Sequence, residues 1–296
     1  MPSYAQTVKD ELARIFDEDE NCLRAELAAM LKVGTVLNEG RLEFSTLNAA
    51  VARKVIKLLN KFYPAAKREV ATIRTKGIAK RLRYFVRIFL TGVVDEFFQK
   101  ADSPEIVPDD FARVAYLRGA FMATGTINKP ESSYYLEIIS SSESAANFVR
   151  QILKDLDFRP SKSLRKNIFG NYICEGDAIE DFLGMVGADE TLERFQIVRN
   201  LKEVRANVNR LVNVETANLN KMIDAAQRQI ADIKILLKHN VKLKEDFQQT
   251  LEMRLQFPEY SVGELAEKLF VTRQALNYRF KIMHKLAQEI LAADKP

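Results

Sequence analysis

Arg273, Gln274 and Asn277 crowd the opening of a helical pattern near the C-terminus. Their side chains carry hydrogen-bonding forks that match base edges. Arginine fits guanine O6 and N7, and asparagine or glutamine fits adenine N6 and N7. Just upstream, Ser261-Val262-Gly263-Glu264 has capping-box spacing: the serine side chain accepts from the Glu264 amide and the carboxylate reaches back. That box opens a short helix over about 262–269. Phe270, Val271 and Thr272 form a turn, with Thr272 as N-cap of the next helix. Leu276, Phe280, Met283, Leu286 and Ile290 form the packed stripe of that helix. At about 100° per residue, Gln274, Asn277, Tyr278, Lys281 and Lys285 then fall on its outer half, and Arg279 falls near the packed side. Such an arrangement is what reading a major groove requires, although a small three-helix packing module shares it. The glycine usual in the turn is absent, and Phe270 sits near its place.

Other chemistry has little to work with. The chain has two histidines, His239 and His284, and two distant cysteines, Cys22 and Cys174, so a zinc site and a disulfide framework are excluded. There is no GxxxxGK[ST] or GxGxxG run to cradle a phosphate, and neither a metal nor a cofactor is expected. With 296 residues, about two domains fit. The formal net charge of +5 is compatible with a polyanionic partner without demanding one. The N-terminus turns charged before any apolar stretch could act as a signal, and no apolar run approaches a membrane span. The chain therefore reads as cytoplasmic, with no membrane partner.

A second basic feature lies earlier. Lys61, Lys67, Arg68, Arg74, Lys76, Lys80, Arg81, Arg83 and Arg87 are opposed only by Glu69 over the same stretch. Arg81, Arg83 and Arg87 share one face of a predicted strand, so their charges should add. Arg74, Lys76, Arg81, Arg83 and Arg87 are thus candidates for nucleic-acid contact. A solvated edge that blocks strand association would need the same residues.

The elements that hold these residues repeat. A small-residue helical run, Leu23 to Leu37, is followed by a turn at Asn38-Glu39-Gly40, the strand RLEFST, a helix from Asn48 to Phe62, and strands around 68–75 and 82–90. The second copy runs from YLRGAFMATGTI (Tyr116 to Ile127) through a turn at Asn128-Lys129-Pro130. It continues with the strand YYLEIIS, a helix from about Ser144 to Leu156, and two strands flanking a turn at Asn167 to Asn171. A connector lies at Ser103-Pro104 to Pro108. After about residue 200 the pattern is all helical. Leu219, Met222, Ile223, Ala226, Ile230, Ile233 and Leu237 form one stripe, and Phe247, Leu251 and Leu255 form another before Pro258.

LRGAFMATG (Leu117 to Gly125) resembles the LAGLIDADG helix of homing endonucleases, and Glu26 to Gly34 resembles a decayed copy. In that family two such helices meet on a pseudo-twofold axis and the strands form a saddle on DNA. The metal-binding acid of the motif is replaced by Thr124 in one copy and Val33 in the other, and neither supplies a carboxylate for Mg²⁺. Glu137 follows the second helix without an expected counterpart in the first half. The resemblance therefore implies the architecture without the nuclease chemistry.

Beyond the two halves, SYAQTVKDEL (Ser3 to Leu12), AELAAMLKVG, AYLRGAFMATGTINKP and NVNRLVNVETANLNK (Asn207 to Lys221) resemble the WhiA family, as LNYRFKIMHKLA does more loosely. The most specific block matches at Asn207, Asn209, Arg210, Asn213, Thr216, Asn218 and Lys221. By residue type it reads as an irregular link, braced by Asn and Thr side chains, entering a helix at Ala217. The resemblance implies an α+β fold: two LAGLIDADG-like pseudo-repeats with saddle-shaped sheets at 1–102 and 103–200, a linker and connecting helix at 201–240, and an all-α helix-turn-helix domain at 241–296. It also implies a non-catalytic, nucleoid-associated transcriptional regulator of sporulation or cell-division type. Its partner is double-stranded DNA, contacted through Thr272, Arg273, Gln274, Asn277, Tyr278, Lys281 and Lys285. A protein contact at the N-terminal domain, a protein-binding scaffold and a residual metal-dependent endonuclease are the alternatives.

Overall fold

The computed structural model describes residues 3–75 and 81–293. The chain divides into two compact units, residues 1–203 and 204–296. Among the described residues the fold is α+β, with two four-stranded antiparallel sheets in the first unit and helices alone in the second.

The first unit opens with α1 (Tyr4–Leu12) and α2 (Glu20–Gly34), the latter capped by Asp19, whose side chain accepts from the Asn21 amide. The chain leaves α2 directly into β1 (Thr35–Asn38) and turns through Glu39 and Gly40 into β2 (Arg41–Thr46). Leu37, expected to close a helical run, therefore lies in a strand. The helix stops at Gly34, where the β-branched pair Thr35-Val36 takes up extended backbone. Then follow α3 (Ala49–Phe62), capped by Asn48, β3 (Arg68–Arg74), β4 (Leu82–Phe89) and α4 (Val93–Lys100). The second copy comprises α5 (Asp110–Thr124), β5 (Thr126–Ile127), β6 (Leu136–Ser140), α6 (Glu143–Asp155), β7 (Ser161–Arg165), β8 (Ile168–Ile173) and α7 (Gly176–Val186). Gly170 and Asn171, expected in a turn, belong to β8. The turn is the positive-φ pair Lys166-Asn167, and the Asn171 side chain bonds Ala146 O and receives Arg150 Nε at 2.8 Å each.

Both sheets have the same order, β1-β2-β4-β3 and β5-β6-β8-β7. Helices α2 and α5 lie between the halves and are buried on nearly every side, unlike α3 and α6, which bury one face. Their contact is close enough to constrain residue type. A Cβ on Gly119 would strike the backbone carbonyl of Glu26 and come within 3.1 Å of Ala29 Cβ; one on Gly34 would meet Ala123 Cβ at 2.6 Å. Ala25, Ala28, Ala29 and Ala120 fill the rest of the seam without exposure.

Charge is built into the same seam. Glu26 is fully buried, and Lys54 of α3 reaches it at 2.5 Å while donating to Leu12 O at 3.1 Å and Ile15 O at 2.6 Å. Arg118 lies 3.5 Å from the same carboxylate and pairs with Asp17. Burial pushes Glu26 above the ordinary carboxylate range and Lys54 below the ordinary amine range, and the two cations beside Glu26 act against its rise. Removing one partner of such a group leaves an uncompensated buried charge.

The SYAQTVKDEL segment forms α1 and caps α8 (Asp189–Lys238). Glu11 accepts from the amides of Glu190 and Thr191 at 2.7 and 3.2 Å and from Thr191 Oγ1 at 2.6 Å. A carboxylate thus satisfies free N–H groups at the positive end of the helix dipole. Residues 207–216, expected as an irregular link, are helical throughout, because α8 runs unbroken across them.

Overpacking a tight core costs about 1–3 kcal/mol, against the ~1 kcal/mol that alanine contributes over glycine inside a helix. Gly119→Ala should therefore lower stability. Gly263→Ala, whose new Cβ lies no nearer than 3.6 Å to Ser261 Oγ, should not. Urea unfolding of both variants is the check, and unchanged stability in Gly119→Ala would remove the seam as a constraint.

Candidate nucleic-acid interface

The second unit holds the end of α8, then α9 (Glu245–Gln256), α10 (Val262–Lys268) and α11 (Arg273–Ala293). Ile233 and Leu236, Leu251, Leu265 and Ala266, and Leu276, Phe280, Met283 and Ala287 close its core, each at most 7% exposed. Both arms of the α10 capping box form: Glu264 N donates to Ser261 Oγ at 3.2 Å and Ser261 N to Glu264 Oε2 at 2.7 Å. These bonds hold the Glu264 carboxyl below its ordinary range.

The end of α10 fixes where α11 starts. Phe270 N bonds Glu267 O at 3.1 Å and Val271 N bonds Ala266 O at 3.0 Å, the two hydrogen bonds of a Schellman close. The left-handed residue of that motif, usually glycine, is Phe270, with φ 54° and a side chain 96% exposed. Thr272 then caps α11, accepting from the Ala275 amide at 3.2 Å. Further along, Arg279 is spent on structure. Its Nη1 donates to Asp246 O at 3.1 Å and Thr250 Oγ1 at 3.2 Å, which ties α11 to α9.

With α11 held on that side, Thr272, Arg273, Gln274, Asn277, Tyr278, Lys281 and Lys285 are all exposed together along the other. Lys285 approaches Glu289 at 3.8 Å. The seven motif residues Asn207, Asn209, Arg210, Asn213, Thr216, Asn218 and Lys221 are likewise exposed on α8, with Arg210 donating to Asn207 Oδ1 at 2.6 Å. Asn218 and Lys221 join Arg273 and Asn277 around one cleft; the other five motif residues do not line it.

The α9 stripe differs from expectation by one position. Leu255 is 40% exposed, whereas Arg254 is 1% exposed with its Nη1 on Tyr260 O at 2.6 Å. The helix turns Thr250, Leu251 and Arg254 inward because the loop after it offers carbonyls for the guanidinium to bind. No hydrophobic pattern marks a buried arginine, so sequence reasoning missed it.

In the first unit the basic strands form a weaker patch than the sequence suggests. Cross-strand register sets Arg87 opposite Glu43 and Glu69, and Arg87 pairs with them at 2.8 and 3.9 Å. Glu43 comes from a different strand and lies outside the basic run in sequence. Arg83 shares the face of Arg87 and reaches Ser45 Oγ at 3.3 Å, while Arg81 is exposed. Arg74 pairs with Leu82 in the ladder, which puts it on the opposite face of the sheet. Lys76 lies outside the described residues.

At the helix feet, Val33 is buried and Thr124 Oγ1 donates to Ile139 O at 2.6 Å. Glu137, contrary to expectation, has a counterpart: Glu43 stands at the same place in β2, the strand equivalent to β6. Neither is free. Glu43 holds Arg87, and Glu137 accepts from Ser163 Oγ at 2.5 Å.

Comparison with known proteins covers almost the whole chain. The WhiA N-terminal LAGLIDADG-like domain matches residues 20–102, the WhiA LAGLIDADG-like domain residues 113–205, and the WhiA C-terminal HTH domain residues 208–287. A probable cell division protein WhiA of Desulforamulus reducens is 36% identical over 97% of this chain and 96% of its own. That of Halalkalibacterium halodurans is 35% identical over 98% and 97%. The crystal structure of full-length WhiA from Thermatoga maritima superposes with TM-score 0.61 at 25% identity, covering 97% of this chain and 99% of that one.

A left-handed conformation costs a residue bearing a Cβ about 1–2 kcal/mol relative to glycine. Phe270→Gly should therefore be more stable than Phe270→Ala by about 1 kcal/mol, and neither change opens a core cavity. Thermal unfolding of the two variants measures the difference, and an alanine variant at least as stable as the glycine one would refute the strained turn.

Proposed function

The chain belongs to the WhiA family of cell division proteins, and from that membership we propose that it is a sequence-specific, non-catalytic DNA-binding transcriptional regulator. The observation that carries the proposal is the presentation of α11. Its packed side is fixed by Leu276, Phe280 and Met283 and by the Arg279 bonds to α9. Its first turns meanwhile offer Arg273, Gln274 and Asn277 outward. Rigid display of these three residue types at a helix opening suits reading base edges in a major groove. Lys281 and Lys285, further along the same side, suit contact with phosphates, which positions the protein without selecting sequence.

The LAGLIDADG-like halves then act as a scaffold. Phosphodiester cleavage with a divalent ion needs oxygen ligands at the helix feet. The residues there are a buried valine and a threonine whose hydroxyl already serves a backbone carbonyl. The carboxylates nearby in sequence, Glu43 and Glu137, are taken by Arg87 and Ser163.

Two measurements test this reading. Plasmid DNA incubated with the purified chain and Mg²⁺ or Mn²⁺ should remain uncut; cleavage abolished by Glu137→Gln would overturn the non-catalytic assignment. In competition binding, Asn277→Ala should lose about 1–3 kcal/mol of discrimination between specific and random duplexes, with binding to random DNA nearly unchanged. Lys285→Ala should weaken both alike. Equal loss on both duplexes in Asn277→Ala, with the fold intact, would exclude base reading by this residue.

A further inference from the structure

The asparagine-rich motif on α8 packs against no core. Asn207, Asn209, Asn213 and Asn218 stand in an unbroken helix, where asparagine is a poor choice, and all are exposed, so packing does not require them. Asn218 and Lys221 differ from the rest in facing other functional residues. They lie one turn apart on α8 and line a cleft of about 570 Å³ together with Arg273 and Asn277 at the start of α11.

The lining of this cleft is one-sided in charge. Lys221, Arg254 and Arg273 contribute three cations, and among the described residues no Asp or Glu lines it. The neighbouring Glu264 is folded back onto Ser261 N by the capping box. Arg254 is the informative member. It is 1% exposed, three backbone carbonyls bond its Nη1, and its Nε has no hydrogen-bond partner among the described residues. Burial lowers its proton affinity, and no carboxylate offsets that. A buried guanidinium without a counter-charge, two further cations, amide side chains and the N-terminus of a 21-residue helix together form a site for an oxyanion.

We infer that α8 is the second wall of the DNA interface, with Asn218 and Lys221 holding a backbone phosphate of the strand whose bases α11 reads. The inference rests on the reading of the second unit as DNA-binding. A duplex phosphate is favoured over a small free anion because the cleft shares Arg273 and Asn277 with the base-reading surface, so a ligand there continues into that surface. Lys221 supplies the charge and Asn218 a neutral amide donor. The two halves of the motif should therefore leave different marks on binding.

The test uses the full-length chain and titrates specific and random duplexes across a range of salt. Lys221→Ala should weaken both about tenfold and reduce the salt slope by about one. Asn218→Ala should weaken both with the slope unchanged. Lys234→Ala, an exposed α8 lysine outside the cleft, removes the same charge and should have a much smaller effect. If wild type binds and Lys221→Ala matches it, or matches Lys234→Ala, the phosphate site is overturned while base reading by α11 stands. If wild type binds no duplex at all, both readings fall together. In a separate arm, inorganic phosphate is added in thermal unfolding. Stabilisation of wild type but not of Lys221→Ala, with no effect of that variant on DNA binding, would overturn the backbone assignment in favour of a free anion.

Discussion

The contact between α2 and α5 is the constraint on which the first unit depends. The two backbones approach so closely that a single methyl group on Gly119 has nowhere to go, and Gly34 meets Ala123 at the far end of the seam. Sequence follows from that distance. Alanines line the seam, and each helix is buried on nearly all sides, so each half supplies what the other must cover. The strands that leave the two helices, β1 from α2 and β5 from α5, start from this fixed pair, and two sheets of identical order result. Glu26 adds a polar lock. Its backbone carbonyl is the atom Gly119 makes room for, and its side chain is held by Lys54 and approached by Arg118 from the opposing helix. Replacing such a cluster by well-packed apolar residues is often neutral or stabilising, whereas breaking one arm of it is not.

The second unit solves a different problem, how to hold a helix firmly by one side only. The Schellman close of α10, the Thr272 cap and the Arg279 bonds to α9 together set the start and rotation of α11. What is left outward is polar and basic. Phe270 is out of keeping with this order. A left-handed, fully exposed phenylalanine occupies the position where glycine would serve the turn without strain.

Much of this was legible from residue types and spacing. The repeat, most of the strands, the capping box and the outward face of α11 follow from periodicities and caps that depend on neighbours in sequence. What failed to show depends on neighbours in space. Arg87 reads as part of a basic run until strand register brings Glu43 against it. Arg254 carries no hydrophobic signal, and only the carbonyls of the loop after α9 give it a buried place. Nothing in the sequence pairs Glu26 with Lys54, and only the packing of α3 against α2 makes them a buried pair. The block from Asn207 to Thr216 reads as irregular because asparagine favours turns. It is helical because α8 is capped by Glu11, distant in sequence, and continues into an amphipathic stretch that packs through Ile233 and Leu236.

On the proposed function, α11 selects DNA sequence. Its most direct measurement is selection from a random duplex library by the full-length chain, followed by sequencing of the bound fraction, for wild type and for a Gln274→Ala/Asn277→Ala variant. Wild type should enrich one short motif, and the variant should lose the preference at adjacent positions within it while still retaining DNA. Recovery of the same motif with undiminished preference by the variant would show that α11 does not select sequence through Gln274 and Asn277.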